Sequence, residues 1–183
     1  DIYAAGAVQA GDEDDYFQSN LFVVARRRIV WLAVLVLANG LTTQVIAMND
    51  EVLKQVVLLT AFIPLLIGAG GNVGAQSSTV VIRGLSTQRI QRLGLFRAIA
   101  KEALAGALLG VLMAVFVVPF AWWQGRGPLV ATAVGRSLIS ITTLAATAGA
   151  SLPLLFDRIG LDPALMSAPF ITTATDVAGV LIY

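Results

Sequence analysis

Asp176 is the residue whose setting most needs a chemical explanation. It stands in Pro169-Phe-Ile-Thr-Thr-Ala-Thr-Asp176-Val-Ala-Gly179, with no basic residue within a helical turn. A carboxylate at membrane depth costs about 2.5–3.5 kcal/mol on insertion scales, so it meets water, a cation or a partner, or is a protonated packing group. Helical spacing sets Thr172 one turn before Asp176 and Ala168 one turn earlier, so carboxylate, hydroxyl and small residue share a face, flanked by Thr173 and Thr175. Threonines inside membrane helices commonly bond back to their own helix, so alone they are weak ligand candidates. The complement is Gly68-Ala-Gly-Gly-Asn72-Val-Gly74, followed by Gln76-Ser-Ser-Thr79. Asn72 is a neutral oxygen donor there, and Gly71, Gly74 and Gln76 are expected beside it on a pore wall.

All of this is oxygen chemistry. The chain has no His and no Cys, which excludes thiolate and imidazole metal centres and the Ser-His type of protease. An intramembrane aspartyl protease needs two carboxylates in one site, and only Asp176 lies deep within an apolar segment. No enzyme is therefore expected. One carboxylate per chain is thin for a divalent ion, but a two-fold dimer brings two to a shared axis. A small, hard divalent cation prefers octahedral oxygen and gives up water reluctantly, so a largely hydrated ion beside carboxylates and carbonyls is the expected mode. Glu102 and Asp162 fall near a membrane boundary, where a carboxylate suits a helix end or a weak cation site.

The elements that must position these groups are membrane spans. Of 183 residues 57% are hydrophobic and only 13% charged, about half the charge of an ordinary soluble domain. Five apolar stretches are predicted to span: about 29–48, 56–82, 98–120, 128–156 and 162–183. The stretch 56–82 holds Pro64 and the glycine run, and broken or polar backbone at membrane depth belongs where it packs in protein or lines a wet cavity, so this span is expected to face inward. Gly70/Gly74 and Gly106/Gly110 are small-xxx-small pairs, the latter read as plain helix packing. Trp122 and Trp123 suit an interfacial belt.

Five spans put the termini on opposite sides. Nine basic residues (Arg26, Arg27, Arg28, Arg83, Arg89, Arg92, Arg97, Lys101, Arg158) lie on the side of the N-terminus, against Lys54, Arg126 and Arg136 on or near the other. The positive-inside rule then predicts a cytoplasmic N-terminus and an extracytoplasmic C-terminus in a cell membrane. Net charge is +1, which implies no nucleic-acid partner. Residues 1–25, with the acidic cluster Asp12 to Asp15, read as a cytoplasmic connecting segment without signal-peptide features, and 26–183 as the membrane domain. The start without Met reads like a piece of a longer chain.

Pro64-Leu-Leu-Ile-Gly-Ala-Gly-Gly-Asn-Val-Gly-Ala-Gln-Ser-Ser-Thr79, with Arg83-Gly84-Leu85, resembles the second-span signature of MgtE magnesium channels. Gly160-Leu-Asp-Pro-Ala-Leu-Met-Ser-Ala-Pro-Phe-Ile-Thr-Thr-Ala-Thr-Asp-Val-Ala-Gly179 resembles that family's fifth-span signature. The resemblance implies an all-α membrane protein with five transmembrane helices per chain, a homodimer whose central pore is lined by second and fifth spans. It places the selectivity aspartate on Asp176 and the pore asparagine on Asn72. It also implies that Asp162 and Glu102 help bind Mg2+ at the cytoplasmic side. Some members carry a polar side chain where this sequence has Ala168, so a ligand role is lost there. Full-length members carry an N-terminal domain and CBS domains, and these do not fit into 25 residues. The expectation is passive, potential-driven Mg2+ entry. The rivals are a Mn2+ or Co2+ transporter or cation-coupled exchanger of the same fold, and a non-transporting assembly subunit.

Overall fold

A computed structural model describes residues 60–90, 94–160 and 163–182, without the side chains of 164–170, 180 and 181, plus isolated helical positions between 22 and 48. Four helices are continuous: α1 (Ile63–Ser86), α2 (Leu95–Trp123), α3 (Gly127–Arg158) and α4 (Pro163–Ile182). The first three are long and apolar enough to cross a membrane. At 1.5 Å per residue, the 20 residues of α4 rise about 30 Å. The first predicted span and Asp162 lie mostly or wholly outside the described residues.

The glycine run within 56–82 is not a break. Pro64 occupies the first turn of α1, where its missing N–H removes no helix bond, and the helix then runs unbroken through Gly68 to Gly74. The cost of helical glycine, about 1 kcal/mol relative to Ala, is offset by close approach of neighbours. A Cβ on Gly70 would meet Ile141 Cγ2 at 2.7 Å, and one on Gly74 would meet Ile171 Cγ2 at 2.6 Å. A Cβ on Gly149 of α3 would collide with the carbonyl oxygen of Gly74. These glycines are how α1 reaches both α3 and α4.

α3 is the hub. It packs along α1, α2 and α4, whereas α1 and α2 scarcely touch. The α2–α3 hairpin closes through Gly125 (φ 72) and Gly127 (φ 81), with Pro128 opening α3. Its helices meet closely because Gly106 faces the Thr142 carbonyl and Ala146, and Gly110 faces Ile139 and the Thr142 hydroxyl. Lipid provides no hydrophobic force between helices, so such small-residue contacts and their dispersion energy carry the association. The Thr142 hydroxyl donates back to Leu138 O at 2.8 Å, which leaves no polar atom stranded at the crossing.

Two apolar clusters mark the two ends of the bundle. Phe62, Leu66, Ala121, Val130, Val134 and Leu138 gather at one end, with Ile182 against them. Val81, Ile90, Ala98, Ala150 and Leu154 gather at the other. Arg83, Arg89, Arg97, Lys101 and Arg158 lie at the Val81 end, and Arg126 lies at the Phe62 end, in the α2–α3 turn. Among the described residues the basic side chains are thus unevenly divided between the two ends, with Arg136 farther along α3.

Candidate ion-facing surface

The contrast between α1 and α2 locates the surface. From Leu104 to Trp123 every exposed residue of α2 is apolar, including Leu108, Leu112, Val115, Phe116 and both tryptophans. That is the composition of a lipid-facing helix with an aromatic end. The outer face of α1 differs. Gly68, Asn72, Gln76 and Thr79 are exposed at helical spacing, between Leu65 and Arg83. An amide pair and a hydroxyl on an outward stripe gain nothing from hydrocarbon, so this face suits water or another protein surface. Gly71 adjoins it, half-buried, with nothing within 4 Å of where a Cβ would stand.

α4 lies antiparallel to α1. Gly74 faces Ile171, Gly70 faces Thr175, and Ile67 comes within 3.8 Å of a Cβ on Gly179. Residues 171, 175 and 179 therefore form the buried stripe of α4, and Thr172 and Asp176 form the next stripe round the helix. Thr172 is exposed and Asp176 half-buried. The facing pairs set Asp176 level with Ala69, and Asn72 level with Thr173, so Asp176 and Asn72 differ by about one helical turn along the axis. Among the described residues no hydrogen bond or ion pair engages the Asp176 carboxylate. No group of three acids within the chain could hold a metal there, again among the described residues.

The other expected site residues divide plainly. Gly74 and Thr175 are packed between helices of one chain; Thr175 is 3% exposed, and its hydroxyl donates to Ile171 O and Thr172 O at 2.9 Å each. Thr173 is half-buried beside them. Ala168 is helical within α4, with its side chain outside the described residues, as is all of Asp162. Glu102 is at the basic end, well away from Asp176, on a cavity shared with Arg83, Arg89 and Lys101. Sequence reasoning takes those cations only as orientation signals. Their recurrence from Arg83 to Lys101 across one helix–helix connection is the available clue to a pocket.

The profile of the MgtE family, described as a divalent cation transporter, matches residues 63–183, the whole span from α1 to the end of the chain. A magnesium transporter MgtE of Thermus thermophilus is 38% identical over 183 residues, which is 100% of this chain and 40% of that protein. Proteins of the same name from Bacillus subtilis and Enterococcus faecalis are 33% and 32% identical over 175 residues, covering 95% of this chain and 39% and 38% of theirs. The chain thus spans about two fifths of the length of the curated relatives it matches. A helical bundle with an apolar outer wall, an outward polar stripe and these matches leads to one conclusion: the chain belongs to the MgtE family of multi-pass membrane transporters.

Proposed function

We propose that this chain is the ion-conducting portion of a Mg2+ transporter, working as a homodimer around a central pore. The pore wall is the outward stripe of α1 (Gly68, Gly71, Asn72, Gln76) together with the Thr172–Asp176 stripe of α4. The observation that carries the reading is Asp176, a carboxylate on a membrane helix with no partner among the described residues. Its neighbour α1 carries an outward polar stripe, whereas the exposed face of α2 from Leu104 to Trp123 is apolar. The names of the relatives support Mg2+ as the cargo.

In the dimer two Asp176 carboxylates supply two negative charges, and Asn72 with backbone carbonyls orients the waters of a partly hydrated ion. Mg2+ keeps several waters at such sites, which suits passage because binding stays weak enough for release. Gly74 and Thr175 act behind this wall, fixing the separation of α1 and α4. The basic end faces the cytoplasm, by the positive-inside rule. An inside-negative potential then drives entry, worth about 4.6 kcal/mol for two charges per 100 mV.

The test is Mg2+ flux into proteoliposomes under an imposed K+ diffusion potential, without Na+ or H+ gradients. Wild-type chain should admit Mg2+ in proportion to the potential. Asp176→Asn should reduce flux at least tenfold while the dimer persists by size-exclusion light scattering. Undiminished flux through Asp176→Asn defeats the assignment, and flux that needs a Na+ or H+ gradient replaces a channel by an exchanger.

A further inference from the structure

The end of the bundle opposite Phe62 contains a cavity of about 480 Å3 between the last turns of α1, residues 87–90 and the first turns of α2. That is the size range of small-ligand sites. Its polar lining includes Arg83, Arg89, Lys101, Thr87 and Glu102, and its apolar lining includes Val80, Val81, Ile90 and Ala98. Among the described residues, three cations and one carboxylate leave a formal charge of +2 in the lining. None of the three cations forms an ion pair among the described residues, and Glu102 pairs with none of them.

The helix ends at the cavity leave its charge to the side chains. α2 contributes Ala98, Lys101 and Glu102 to the wall, from the turns after its start at Leu95. α1 ends there, but its negative end is blunted. Ser86 Oγ and Thr87 Oγ1 both donate to Arg83 O, at 2.9 and 2.8 Å. The connection is held tight against α1, because a Cβ on Gly84 would lie 2.8 Å from Ile90 Cδ1. The pocket is therefore built into the fold, with an apolar wall on Val80, Val81 and Ile90 and a cationic rim.

We propose that this cavity binds a phosphate-bearing anion, and that the headgroup of an anionic phospholipid is its source. The three cations of the described lining select an anion. The apolar wall at the boundary of a membrane-spanning bundle suits the glycerol and first acyl carbons, and basic pockets at the ends of membrane helices are suited to lipid headgroups. The proposal is independent of the pore, and none of its readouts depends on ion flux.

The experiment reconstitutes the intact chain in phosphatidylcholine with spin-labelled phosphatidylglycerol or spin-labelled phosphatidylcholine, and measures the association of each label with the protein. Arg83→Gln, Arg89→Gln and Lys101→Gln should each lower the phosphatidylglycerol preference about fivefold, from the usual worth of a basic residue near a membrane surface. Glu102→Gln should raise it by a similar factor. Arg97→Gln is the control, since Arg97 is exposed on the first turn of α2 but does not line the cavity; it should lower the preference distinctly less than the three lining variants. A parallel titration with inorganic phosphate in detergent separates the sources. Binding with the same variant dependence there, and no lipid preference, keeps the phosphate site and transfers its ligand to the water phase. Equal loss in Arg97→Gln and Arg83→Gln, or no variant-dependent binding of either probe, overturns the proposal.

Discussion

Gly149→Ala gives the most direct physical test of the helix arrangement. A Cβ added there would collide with the carbonyl oxygen of Gly74, and would stand 3.0 Å from its carbonyl carbon and 3.1 Å from its Cα. These are backbone atoms of a neighbouring helix, so no side-chain rotation relieves the overlap, and α1 must move away from α3. Overpacking of this kind costs about 1–3 kcal/mol, and a backbone-on-backbone clash belongs at the upper end. Replacing helical Gly by Ala returns about 1 kcal/mol through propensity. The expected net loss is about 2 kcal/mol, or about 4–8 °C in melting temperature for a chain of this size. Gly71→Ala is the internal comparison. Nothing lies within 4 Å of its added Cβ, so only the propensity gain remains and melting should stay level or rise by about 2–4 °C. Both variants can be followed in detergent by tryptophan fluorescence against temperature. Equal melting of Gly149→Ala and wild type, or an equal fall in Gly71→Ala, would refute the glycine-mediated crossing.

Thr175→Val should keep Mg2+ flux within about twofold of wild type, because the buried hydroxyl bonds only to its own helix and loses little there. Flux assays in liposomes read this directly, and a loss matching Asp176→Asn would place Thr175 on the ion path instead. Thr142→Val preserves shape at the α2–α3 crossing and removes a hydroxyl shared between Leu138 O and Ile139 O of its own helix, so thermal melting should fall by the equivalent of about 0.6 kcal/mol or less. Gly110→Leu sets a large side chain against Ile139 and Thr142 and should abolish recovery of monodisperse protein, measured by size-exclusion chromatography.

Much of the helix layout is legible in the sequence, because span length is fixed by bilayer thickness and apolar runs of the needed length stand out from polar links. The predicted spans 98–120 and 128–156 correspond to α2 (Leu95–Trp123) and α3 (Gly127–Arg158), each slightly longer than its apolar run. Pro163 opens α4, as its position beside Asp162 suggests. Within 56–82, Pro64 and the glycines leave α1 unbroken. Pro64 and the glycines are helix breakers by intrinsic propensity, and propensity says nothing of neighbours. Only the facing surfaces of α3 and α4 show that Gly70 and Gly74 are contact points on an intact helix.

The candidate site divides in the same way. The sequence by itself determined that a carboxylate, an amide and several hydroxyls occur within apolar segments, and that oxygen is the only strong ligand type available. Which of them share a surface was decided by the tertiary structure, through the antiparallel register of α1 and α4. That register turns Thr175 and Gly74 inward and leaves Thr172, Asn72 and Gln76 outward. Helical periodicity gives the relative angles of residues on one helix, but not the rotation of that helix about its own axis. That rotation is set where a missing Cβ lets two backbones meet, and neither partner's sequence alone contains it.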